Sequence, residues 1–104
     1  MMVQVNADRH IHNSVSLQED VTATVEAAMS NHAGRITRLE VHLSDQNGKK
    51  GGEADLRCSM EARLQGLPPL GVHHDAAALM DAVQGAAEKL QHLIEHHLGR
   101  LQER

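Results

Sequence analysis

The chain has 104 residues and a mass of 11.4 kDa, enough for one domain (residues 1–104) with a single modest core and not for two. It contains no Phe, Tyr or Trp, so the core falls to Leu, Val, Ile, Met and Ala, and no aromatic platform exists on which bases, sugars or flavins could stack. Ten Lys plus Arg against fourteen Asp plus Glu give a formal charge of -4, which argues against a non-specific polyanion binder, yet protonating all nine histidines would carry that charge to +5.

Val3, Val5 and Ala7 alternate with Gln4, Asn6 and Asp8, the period of a strand with one wet face. The stretch SLQE, Ser16 to Glu19, has the form of a capping box, and Leu17, Val21, Val25 and Ala28 then recur every three or four residues, predicting an amphipathic helix that ends near Gly34. From Ile36 the period returns to two, with Leu39, Val41 and Leu43 on one side of a second strand that ends at Ser44. DQNGKKGGE, from Asp45, reads as a mobile hairpin loop. Leu56, Cys58, Met60, Ala62 and Leu64 form the apolar side of strand three, GLPPLG turns, and Leu70, Val72 and His74 predict a short fourth strand leading to a helix N-cap at Asp75.

The last predicted element is a helix from about Ala76 to Leu101, with Leu79, Val83, Ala86, Leu90, Leu93, Ile94, His97 and Leu101 along one stripe. At ~1.5 Å per residue it is ~39 Å long, against ~30 Å for a nine-residue strand, so its final turns should overhang the sheet. The order β-α-β-β-β-α implies an α+β fold: a four-stranded mixed sheet with both helices packed on one face, strand one lying parallel to strand two through a right-handed crossover.

Around the second helix, Asp81, Glu88 and Glu95 form one polar ridge, while Lys89, His92, His96 and Arg100 form another. His97 falls inside the apolar stripe and is expected to pack. His92 and His96 have a spacing that can serve one metal, but zinc needs a third or fourth ligand and no HExxH or cysteine pattern supplies it, so neither a metal nor another cofactor is expected. The sequence also lacks GxSxG, a Walker loop and GxGxxG, and Cys58, the single cysteine, sits on the inward side of strand three, so catalysis is not expected. Arg38, Glu40, His42, Arg57, Glu61 and Arg63 alternate outward, where mixed charges are expected to form solvated cross-strand pairs. One cysteine leaves no internal disulfide and fits a reducing compartment. No apolar run approaches the ~20 residues of a membrane span, and no secretion-signal pattern opens the chain, so the expected address is the cytoplasm, away from membranes.

GRITRLEVHLS (Gly34 to Ser44), the loop after it and MDAVQGAAEKLQHLIEHHLGRL (Met80 to Leu101), taken with the element order, resemble the short ribosome hibernation-promoting factor and ribosome-associated inhibitor family. The resemblance spans nearly the whole chain: the opening VQVNAD strand, Arg35-Ile36 entering strand two, and Ala82-Val83 followed by Glu88-Lys89-Leu90 in the second helix. It implies a non-enzymatic, stress-associated factor that silences translation by binding small-subunit rRNA, with cationic side chains on phosphate oxygens. The positions carrying that role here are Arg35, Arg38, Lys89 and Arg100, with His92 and His96 adding charge when protonated. The first helix, Leu17 to Asn31, has no Lys or Arg, so the expected RNA binding is weak or pH-dependent. The alternative is a diverged relative without RNA binding, acting as a protein-interaction or homodimer module through the overhanging helix end, near Leu98 and Leu101.

Overall fold

Apolar residues at every second position of two successive segments commit both strands to one buried face once they pair. In the computed structural model, which describes residues 1–46 and 55–102, that pairing joins β2 (Ile36–Asp45) and β3 (Leu56–Leu64) antiparallel. Leu39 lies opposite Ala62, Val41 opposite Met60 and Leu43 opposite Cys58, and all six are buried. β1 (Met2–Ala7) adds to β2 in parallel, and β4 (Leu70–Ala76) adds antiparallel to β3, giving the sheet order β1-β2-β3-β4. The loop reading for DQNGKKGGE lies, from Asn47 on, outside the described residues.

Two helices cover the buried face. α1 (Val15–Ala28) contributes Val21, Val25 and, just past its end, Met29; α2 (Leu79–Gln102) contributes Ala82, Val83, Ala86, Ala87, Leu90, Ile94 and Leu98. α2 lies across β3 and β4, and α1 packs beside it toward β1. The α+β order, the mixed sheet and the one-sided helix layer are those the sequence predicts. Removing these side chains from water stabilises the fold by roughly 1.5–3 kcal/mol per large residue. With no aromatic available, Met29 and Met60 are among the largest fully buried groups.

Three predicted boundaries differ from the structure. The cap of α1 lies two residues before the expected one: Ser14, in an extended conformation, accepts a hydrogen bond on its Oγ from the Leu17 N–H at 3.1 Å, and the predicted SLQE box lies inside the helix. Val15 in the first turn is 70% exposed, so apolar periodicity gave no sign of that turn. The helix also stops at Ala28 rather than near Gly34, because the chain leaves in successive turns, His32 N–H donating to Met29 O and Arg35 N–H to His32 O. At the other helix, Asp75 is not the N-cap; it belongs to β4 and points outward, and α2 starts at Leu79.

The close fit of α2 on β4 rests on Gly85. His74 faces inward opposite Cys58, and a Cβ built on Gly85 would stand 2.2 Å from His74 Cδ2 and 2.5 Å from its Cγ. Gly85→Ala should therefore destabilise the chain by about 1–2 kcal/mol despite alanine's better helix propensity, read by urea denaturation. With His74→Ala the same substitution should instead stabilise, by up to about 1 kcal/mol.

Candidate nucleic-acid interface

Spacings of three, four and four residues put Lys89, His92, His96 and Arg100 in one row along α2, and all four are exposed. Lys89 Nζ donates to the backbone carbonyl of His73 at 3.0 Å, so the row begins where the helix crosses the β4 edge and one edge carbonyl is covered. The side chains of His92, His96 and Arg100 make no hydrogen bond or ion pair among the described residues. The His96 and His97 rings meet edge to face with centroids 5.7 Å apart. His97 is half-buried, on the apolar stripe where the sequence places it. Arg100 stands in the last turn, where the helix dipole favours a cation.

The other two predicted contacts stand elsewhere. Arg38 projects from the open face of the sheet, away from both helices; it pairs with Glu40 at 2.8 Å and donates to Gln4 Oε1. Arg35 lies in the turn between α1 and β2, lining a depression with His32, Leu98 and the exposed Glu95, and none of the α2 row lines it. The six sequence-predicted residues therefore occupy three surfaces, and only the four on α2 are contiguous. α1 adds no cation: its exposed Glu19, Asp20 and Glu26 give the helical layer an acidic flank.

Pairing on the open sheet face departs from the cross-strand expectation. Arg38 lies opposite Arg63 and Glu40 opposite Glu61, so like charges face each other across β2 and β3. The opposite charges meet along each strand instead, Arg38 with Glu40 and Arg63 with Glu61 at 3.5 Å. Arg57 and Asp75 are a cross-strand pair, joined by hydrogen bonds of 2.7 and 3.1 Å. Arg57 holds the Asp75 carboxyl below its usual range, chiefly through those bonds, and Asp75 raises the guanidinium in turn. None of these pairings, nor the Lys89 contact, is readable before the strand register is known.

Among the described residues no group of three His, Cys, Asp or Glu is placed to hold a metal ion, and His10, His12, His73 and His74 do not form one. Burial pushes the Cys58 thiol up to about 12, so it is inert near neutral pH, in line with its inward position in the core. No described helix is long and apolar enough to cross a membrane.

Asp75 titrates lower in the folded chain than in the unfolded one. Its contribution is complete above about pH 4 and disappears as pH falls through the folded value. Asp75→Asn should therefore lower stability at pH 6, with the gap to the unaltered chain closing toward pH 2.5; a gap that is constant over this range would rule the pair out as its source. Cys58 should react with a soluble disulfide reagent only as fast as the chain opens, so its rate should rise with urea and stay flat between pH 7 and 8.5 once opening is rate-limiting.

No protein-family model matches the sequence, and no curated protein does. Among solved structures, the N-terminal domain of Protein Y from Thermus thermophilus superposes with a TM-score of 0.74 at 18% identity, covering 93% of this chain and 99% of that one. A ribosomal subunit interface protein from Coxiella burnetii superposes with a TM-score of 0.72 at 12% identity, covering 95% of this chain and 99% of its own. The chain thus has the fold of Protein Y's N-terminal domain and of a ribosomal subunit interface protein, the fold that the family resemblance of its sequence implies.

Proposed function

We propose that this chain is a cytoplasmic, non-catalytic factor that binds small-subunit rRNA through phosphate contacts and silences translation under stress. The observation that carries this reading is the exposed row of Lys89, His92, His96 and Arg100 on a fold shared with a ribosomal subunit interface protein. The row extends about 16 Å along the helix, and a chain without aromatic residues can grip structured RNA only by shape and backbone charge. Arg35 serves as a flanking contact at the end of the molecule. Arg38, held by Glu40 and Gln4 on the far face of the sheet, contributes no phosphate contact to this surface.

Only Lys89 and Arg100 are cationic at every physiological pH, so affinity rises as His92 and His96 gain protons. A second reading, a relative that has lost RNA binding and acts as a homodimer or protein-interaction module, is favoured by α1, whose exposed Glu19, Asp20 and Glu26 would repel phosphate.

Co-sedimentation with small ribosomal subunits separates the two. Binding should be tighter at pH 6 than at pH 7.5. Log affinity should fall against log salt with a slope of about -2 at the higher pH and steeper, toward about -4, at the lower. Arg100→Gln should weaken binding at both values, whereas His92→Gln with His96→Gln should remove most of the pH effect and leave binding at pH 7.5 unchanged. No pelleting at either pH and low salt would eliminate the RNA reading, and a concentration-dependent dimer under the same conditions would favour the second.

A further inference from the structure

The last turns of α2 carry His96 and Arg100, and they pack against the turn between α1 and β2. Their apolar anchor there is Leu98, 8% exposed. Their polar anchor is His32, whose Nε2 lies 3.3 Å from Glu95 Oε2, the His32 side chain being 15% and that of Glu95 43% exposed. The contact ties residues 63 positions apart, and it is the one ion pair among the described residues that joins α2 to the α1–β2 connection.

We propose that His32 and Glu95 form an acid-closed clasp that holds the C-terminal turns of α2 in place. A neutral imidazole can donate to the carboxylate in only one of its two tautomers, whereas the imidazolium always donates from Nε2 and adds its charge to the bond. The clasp is therefore weak when His32 is neutral and strong when it is protonated. Two charged groups line the depression of about 360 Å³ beside His32 at this end: Glu95 from α2, in direct contact, and Arg35 from its own turn. His96 and His97 follow Glu95 by about 100° and 200° around the helix, which turns them to other flanks.

Acid thus acts twice on one segment, charging His92 and His96 and fixing the turns that carry His96 and Arg100. That consequence rests on the RNA reading; the clasp itself does not. Amide hydrogen exchange of the free chain tests it, with the core amide of Leu90 as the control for global stability. Protection of the amides from His96 to Arg100, relative to Leu90, should be about threefold higher at pH 5.5 than at pH 8, the scale of a partly exposed ion pair. His32→Gln and Glu95→Gln should each abolish that rise, and combining them should do nothing more. Equal relative protection at both pH values, or a rise that survives either substitution, would overturn the clasp. A pH-dependent rise without ribosome pelleting would leave the clasp standing and remove the RNA reading; pelleting without the rise would do the reverse.

Discussion

Register in the β2–β3 ladder is the constraint on which the rest of this molecule depends. Pairing Leu39 with Ala62, Val41 with Met60 and Leu43 with Cys58 turns one side of each strand into the floor of the core. The same pairing sends Arg38, Glu40, Glu61 and Arg63 to the open face, where Arg38 stands opposite Arg63 and Glu40 opposite Glu61. A slip of β3 by one residue would turn its outward side chains inward, burying Arg57, Glu61 and Arg63 without partners, a cost comparable to the whole stability of a chain this size. The parallel addition of β1, the antiparallel addition of β4 and the seating of both helices follow from that one alignment.

Much of this was legible in the sequence because two periods carry it. Alternation in Leu56–Leu64 marks β3 with its observed bounds, and the three-to-four-residue recurrence from Leu79 onward marks α2 and its buried stripe. The errors fall where periodicity is silent. Val15 lies on the outer side of the first turn of α1, so nothing apolar announced that the helix had begun, and Ser16 looked like the cap that Ser14 provides. Asp75 has a cap's identity but a strand's partner: Arg57, eighteen residues earlier, captures it from the neighbouring strand. Such a competition is set by tertiary neighbours and cannot be seen in a local window.

The candidate site divides along the same line. A row at helical spacing is a local property, and Lys89, His92, His96 and Arg100 form one as the sequence predicts. Membership of Arg35 and Arg38 in that row is a long-range property. The sheet carries Arg38 to the opposite side of the molecule, while Arg35 shares its depression with Glu95 rather than with the row. The surplus of carboxylates is also unevenly spent: on the sheet it neutralises arginines pair by pair, whereas on α1 it stands free of any basic residue in the same helix. Among the described residues, the flank of α2 that carries Lys89, His92, His96 and Arg100 is the row of basic groups that those carboxylates leave without an ion-pair partner.

Histidine in place of lysine along that flank has a physical logic. A permanent cation at every position of the row would be drawn toward the adjoining carboxylates of Glu88 and Glu95, committing its charge to the helix's own surface. An imidazole makes no such commitment while it is neutral, when it packs as a polar ring. Because Glu95 is engaged by His32, it is less available to neutralise the row beside it. The carboxylate next to His96 in sequence is thus the one that the α1–β2 turn engages, and a single contact at the helix end bears on both the packing of its last turns and the charge of its exposed flank.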